Sequence, residues 1–363
     1  MSWPWTLYRY LAFQFLVCVG AFFGVLSFLT FSIDLVDLFN RTAGKHVPNA
    51  AVVGMSLLQL PSLGLKLLPF AVLFGGVFAF IRLSRSQELL AIRAAGVSAW
   101  NLLAPTLAVA IALGVVTVTV FTPVSATLLV EFTELEAKYI RGQASQLDVS
   151  ENGLWLRQGD YDEQSVVHAL RVADQGVRLD DVVIFLFGGS DKFRGRIEAR
   201  SATLVKGAWV LDNAWVSEIE GRPVHHASYS VPTTLTPTSI QESFAPPETL
   251  SFWALPGFIQ AAQRAGFRPT RYLMYFDTLL ALPAMFAAMV FMAASFSLRL
   301  ARLGGLGRVI VQSVLAGFGV YFFSTVTQAF GMRGILPVAL AAAAPATAAI
   351  LIGMTLVFHQ EDG

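Results

Sequence analysis

The sequence predicts an α-helical membrane protein with six transmembrane helices, three before and three after an inserted all-β, jelly-roll-like domain. Three observations carry that expectation. Hydrophobic residues make up 55% of the 363 and charged residues only 13%, about half the charge of an ordinary soluble domain. Six apolar runs reach the length that a bilayer-spanning helix needs. From about Gln143 to Pro247 the long apolar runs stop, and short β-rich stretches separated by turn residues replace them. The expected organisation is a first membrane half over 1–142, the β-domain over 143–247 and a second membrane half over 248–363. A net charge of +1 without a basic cluster offers nothing to nucleic acid, and the only cysteine, Cys18, leaves no intrachain disulfide or Cys-based metal site.

After a short head containing Arg9, Leu11–Ile33 is uncharged and long enough to cross a hydrocarbon core of about 30 Å. It exceeds a signal-peptide core and shows no small-residue cleavage site, so it is expected to be retained. Gly20 and Gly24 form a GxxxG that would admit a close helix, or simply relieve the large Phe neighbours. The connection Asp34–Pro48 carries Asp34, Asp37, Arg41 and Lys45. Its Gly44-Lys45 is no phosphate loop, because Phe39 and His46 stand where glycine and Ser/Thr are required. The second span, Ala51–Ile81, contains Pro61, Lys66 and Pro69. A lysine at that depth must snorkel, find a structural partner, or meet an anionic group in a polar cavity.

Arg82–Trp100 is a charged segment between two apolar runs. Leu83–Ala95 suits one amphipathic helix closed by Gly96, with Leu83, Leu90 and Ala94 on one side, Arg85 and Glu88 opposite, and Arg93 on the flank. Tethered at both ends, such a helix (about 84–96) suits docking into a soluble partner; the alternative is a basic turn that fixes topology. The uncharged stretch Ala94–Val130 is longer than a span requires. The third helix is expected over Trp100–Pro123, continuing as a lipid-surface or periplasmic extension until Glu131, Glu134, Glu136, Lys138 and Arg141 mark departure into water.

Strands are expected at Gly153–Arg157, Ser165–Ala173, Asp181–Phe187, Phe193–Leu204, Ala208–Ser217 and Val224–Val231, as a sandwich or jelly roll. Trp209 with Leu211, and Ile184 with Leu186, should each share a strand face. A partly helical return, Glu248–Arg271, leads to spans Thr278–Leu298, Val309–Met332 and Gly334–Phe358. Flanks on one side hold Arg9, Arg82, Arg85, Arg93, Arg299, Arg302 and Arg308, against Arg41, Lys45 and Arg333 on the other. The positive-inside rule puts both termini and Arg82–Trp100 in the cytoplasm and the β-domain outside.

No nucleophile elbow, zinc-protease motif or supported carboxylate pair occurs. His225 and His226 are adjacent on an expected strand and should point to opposite faces, away from a shared metal. Only Lys66 is clearly intramembrane, with Asp277 at an edge, which argues against an ion-coupled transporter. A membrane body without an engine, plus a docking helix, implies a transport subunit powered by a separate ATPase chain. The competing class is a membrane-anchored adaptor that moves nothing.

Particular residues also resemble a family, the lipopolysaccharide export permeases LptF and LptG (YjgP/YjgQ). They are Arg85-Ser86-Gln87-Glu88-Leu89 with Ala94-Ala95-Gly96, Gly153-Leu154-Trp155-Leu156-Arg157, Arg271-Tyr272 leading to Leu282-Pro283, and Leu336-Pro337-Val338. Ile33-Asp34-Leu35-Val36-Asp37 and the tail Glu361-Asp362-Gly363 are more similar to LptG. The resemblance implies a heterodimer with an LptF-like permease on an LptB-like ATPase dimer, which binds the ATP and Mg, so that this chain needs no cofactor. It implies lipopolysaccharide as substrate and an LptC-like bitopic partner. Glu88, with Arg85 and Arg93, matches the ATPase-coupling segment. The family's basic residues at outer span ends correspond here to Asp34, Ser62 and Leu279, so Lys66, one turn after Ser62, with Arg41 and Lys45, is the expected substitute. Phe22 and Phe322, with Phe13, Phe15, Phe23 and Phe323, are expected to line an apolar path for acyl chains, or merely to face lipid or pack.

Overall fold

The structure, a computed structural model, describes residues 5–45, 47–88, 92, 98–141, 147–150, 153–159, 163–173, 177–188, 192–205, 207–218, 221–233, 246–264, 268–300 and 306–361. It divides into two compact units: Met1–Ile140 with Leu250–Trp253 and Leu273–Gly363, and Arg141–Thr249 with Ala254–Tyr272.

Among the described residues, six helices are long and apolar enough to cross a membrane. α1 (Trp5–Thr42) and α2 (Asn49–Arg85) run past the spans expected at Leu11–Ile33 and Ala51–Ile81. Both prolines of α2 sit within a continuous helix, as membrane helices allow when neighbours satisfy the freed backbone groups. The third span is compound. α3 (Ala99–Val116) passes through a π-turn at Thr117–Phe121 into α4 (Thr122–Glu136), ending in a second π-turn at Ala137–Arg141. Its extension does not lie on a lipid surface alone: Leu129 and Phe132 pack with Leu38 of α1 and Val52 and Met55 of α2. That packing accounts for an uncharged run longer than a bilayer.

α6 (Thr270–Leu300), α7 (Leu306–Met332) and α8 (Val338–Glu361) complete the unit. The sixth span begins later than the hydropathy predicts. Gly334 adopts φ +73°, Gly334 N–H donates to Gly331 O, and Ile335 N–H donates to Phe330 O at 3.0 Å. This is a Schellman cap on α7, so residues 334–337 belong to the turn.

Three glycines set the helix spacing. A Cβ at Gly75 of α2 would stand 2.6 Å from Val19 Cα of α1, one at Gly114 of α3 2.5 Å from Pro283 Cα of α6, and one at Gly353 of α8 2.7 Å from Phe291 Cβ of α6. These, not Gly20 and Gly24, admit close neighbours, since the latter two meet nothing within 4 Å. α2 and α6 are the most enclosed spans; α1 and α7 are the most open.

The second unit is a seven-stranded antiparallel sheet in chain order: β1 (Leu147–Ser150), β2 (Gly153–Gly159), β3 (Glu163–Ala173), β4 (Arg178–Gly188), β5 (Lys192–Val205), β6 (Ala208–Glu218) and β7 (Val224–Pro232). All the expected strands form, and β1 is added. The inserted domain is all-β as expected, and its described strands follow one another as a meander without Greek-key crossovers. A flat sheet would hold β2 and β6 roughly 19 Å apart at about 4.8 Å per strand. Yet Trp209 Nε1 of β6 donates to Gln158 Oε1 of β2 at 3.2 Å. The sheet therefore rolls over itself and encloses Leu154, Leu156, Ile184, Trp209 and Leu211. Alternation on β5, where Ile197 and Ala199 are buried between exposed neighbours, follows from one face turning inward. α5 (Leu255–Arg264) joins this core through Ala262 and Phe258.

Candidate functional site

Two constellations in the membrane unit combine polar groups with unusual surroundings. The first is an aromatic row. Lys66, Phe70, Phe74 and Phe78 recur every four residues along α2, so their side chains form one slowly winding stripe. Phe22 of α1 packs against Phe74 and Phe78, with ring centroids 6.3 and 5.9 Å apart. Phe70 stacks on Phe74 at 6.4 Å and meets Tyr321 of α7 at 5.9 Å. The row thus bridges the two most open spans across α2. Phe322 lies beside it in sequence and is 70% exposed on α7.

Lys66 stands at the end of the stripe nearer the α1–α2 connection. It is exposed, and no partner stands against it among the described residues. Ser62, one turn earlier, is buried, so the two residues do not share surroundings. From Arg82 to Lys66 is sixteen residues, or about 24 Å of helix. Were Arg82 set at one boundary of a roughly 30 Å core and the helix upright, Lys66 would lie about 6 Å inside the other, within reach of the interface for an extended lysine. Asp34, Arg41 and Lys45 are engaged elsewhere. Ser56 Oγ donates to Asp34 Oδ2 at 2.7 Å, Arg41 pairs with Asp37 at 2.7 Å, and Lys45 Nζ donates to Ile140 O at 2.7 Å. The last contact places a cation on the carbonyl end of the third span's helix, where the backbone dipole favours it.

The second constellation is at the opposite ends of α1 and α2. Here the expected single helix over Leu83–Ala95 is corrected at its start, where the chain turns at Ser86–Gln87; Glu88 and Ile92 are helical, and residues 89–91 and 93–95 lie outside the described residues. Leu83, Ser84 and Arg85 form the last turn of α2, and Leu83 is buried in the main core. Ser86 Oγ donates to Arg82 O and Leu83 O, and Gln87 follows with φ +58°. A serine hydroxyl that takes up helix carbonyls competes with continuation of the helix, and the left-handed Gln87 redirects the chain. Glu88 is half-buried, Arg85 is exposed, and Arg93 lies outside the described residues.

Tyr10 OH donates to Glu88 Oε2 at 3.0 Å. One turn along α1, Gln14 Oε1 accepts from Arg82 Nε at 2.9 Å and Nη1 at 3.2 Å, with its amide oriented to present the oxygen. Tyr10 and Gln14 share an α1 face at i, i+4 spacing. Nothing local in the sequence signals this pair, which reads as part of an apolar head.

The sequence model for the lipopolysaccharide export system permease LptF/LptG matches residues 9–358. The chain belongs to the LptF/LptG permease family. No curated protein matches it at a significant level. Membership covers both membrane halves and the β-domain alike, and it makes the chain a permease component of lipopolysaccharide export.

Proposed function

We propose that the chain is the LptG-like subunit of an ATP-driven lipopolysaccharide exporter. It pairs with an LptF-like permease on an LptB-like ATPase dimer and hands lipid to an LptC-like bitopic protein. Both termini and the 82–100 segment are cytoplasmic, and the β-domain is periplasmic; the arginine asymmetry along the chain supports that orientation. ATP and Mg are bound by the ATPase, and this chain supplies the path and the docking contact.

The observation that carries the reading is the aromatic row ending in an exposed lysine. Acyl chains gain about 0.8 kcal/mol per buried CH₂, so apolar rings suit the tails of an amphiphile. A cation near the interface suits its anionic head. Lys66, Phe22 and Phe322 are the lipid contacts in this reading; Arg41 and Lys45 at the mouth would first have to exchange their contacts to Asp37 and Ile140 O for a head group. Glu88 meets a cationic side chain of the ATPase, flanked by Arg85 and Arg93.

The test is reconstitution in liposomes with the permease partner and ATPase, followed by ATP-dependent lipid release to a soluble acceptor. Glu88→Ala is expected to abolish most release while leaving the chain folded. Release unchanged in Glu88→Ala, or a chain that neither co-purifies with an ATPase nor alters its turnover, would return the adaptor reading.

A further inference from the structure

Glu88 sits beyond a left-handed turn, in a segment that lacks a continuous helical link to α2. What fixes its carboxylate is a different element, α1, through the Tyr10 hydroxyl. The same α1 face holds Arg82 through Gln14, and Leu11 and Phe15, each next in the chain to one of the two, are buried in the core that contains Leu83. Two polar contacts one helical turn apart, backed by packed apolar residues, clamp the inner end of α1 onto both sides of the Ser86–Gln87 turn. α1 as a whole is an unbroken helix of 38 residues, about 57 Å. It lies in backbone contact with α2 at Val19 and Gly75 and is tied again by Ser56 to Asp34 near its far end.

We propose that Tyr10 is a positioning residue for the coupling contact. It orients the Glu88 carboxylate toward the ATPase and delivers any displacement of Glu88 directly to the inner end of α1. This rests on Glu88 being the docking carboxylate. The hydroxyl uses one carboxylate oxygen, Oε2, and among the described residues nothing else occupies Oε1, which is left for a cationic partner. An ionised carboxylate accepts several hydrogen bonds at once, so the two contacts are compatible, and a charged acceptor strengthens the Tyr10 bond. A displacement applied at Glu88 thereby reaches the first span without passing through α2.

The experiment uses the whole reconstituted complex with Tyr10→Phe, Glu88→Ala and the double variant. It measures ATPase co-purification, ATP turnover and lipid released per ATP hydrolysed. Tyr10→Phe keeps the ring and its packing, so assembly and turnover are expected to stay within twofold of the parent. Lipid released per ATP should fall severalfold, and the double variant should be no worse than Glu88→Ala alone. A merely structural role would lower assembly and turnover together and leave the ratio unmoved, which overturns the proposal. Tyr10→Phe matching the parent while Glu88→Ala fails would overturn it and leave the docking reading intact. Effects that multiply in the double variant would show that Tyr10 acts through another group. Glu88→Ala matching the parent would remove the docking reading itself.

Discussion

Gly75→Ala tests whether backbone contact between α1 and α2 organises the membrane unit. The added methyl would stand 2.6 Å from Val19 Cα, 2.7 Å from Val19 N and 2.9 Å from Val19 Cγ2. Carbon atoms rest comfortably at about 3.5–4.0 Å, so the helices must part by roughly 1 Å. The obstacle is mostly backbone, which has no rotamer to change. Overpacking of this kind costs about 1–3 kcal/mol, while replacing a mid-helix glycine by alanine returns up to about 1 kcal/mol. A net loss of about 0.5–2 kcal/mol is expected, read as a lower midpoint in thermal unfolding of the detergent-solubilised chain. Gly20→Ala is the matched control, because a Cβ there meets nothing within 4 Å. It should be neutral or slightly stabilising. Equal behaviour of the two variants, or a more stable Gly75→Ala, would refute the idea that this contact sets the α1–α2 distance.

Two further outcomes follow from the same geometry. Lys66→Glu should weaken binding of anionic lipid, measured by co-purified lipopolysaccharide, more than Arg196→Glu on the sheet, where Arg196 is already paired with Glu198 at 3.0 Å; equal losses would count against Lys66. Trp209→Phe keeps most of the buried ring and removes the donor to Gln158 Oε1. It should cost the β-unit about 1 kcal/mol, seen as a lower unfolding midpoint by tryptophan fluorescence, and no change would mean that the roll of the sheet is held by apolar packing alone.

Much of the architecture was legible because hydropathy and alternation are properties of contiguous residues. Each expected strand lies where Val, Ile, Phe and Trp alternate with polar residues, and the paired positions Trp209 and Leu211 both turn inward. β1 escaped because Leu147-Asp148-Val149-Ser150 is too short to show a period. The roll of the sheet escaped for another reason: Gln158 and Trp209 are far apart in sequence, and nothing local joins them. The error at Leu83–Ala95 was chemical. Arg82–Trp100 contains no proline, and its first glycine is Gly96, so periodicity carried the helix through Ser86 and Gln87. In the structure a side-chain hydroxyl and one positive φ end it. Tyr10 and Gln14 were invisible as a pair because an apolar head gives no reason to look for a carboxylate acceptor contributed by a residue 78 positions later.

Lys66 shows how structure narrows what sequence leaves open. A lysine inside a span is tolerated if it snorkels, pairs with a neighbour, or meets a ligand. Among the described residues no acceptor stands against it. Snorkelling alone explains how the charge survives about 6 Å below an interface. It does not account for the company the charge keeps. Phe70, Phe74 and Phe78 continue its stripe toward the other boundary, and Phe22 and Tyr321 close on that stripe from two different helices. An ammonium at one end and rings along the remainder present two chemistries in the order in which an anionic amphiphile carries them. For a permease of lipopolysaccharide export, that order is the ground on which we propose Lys66 as the contact for head-group charge and the phenyl rings as the contact for the tails.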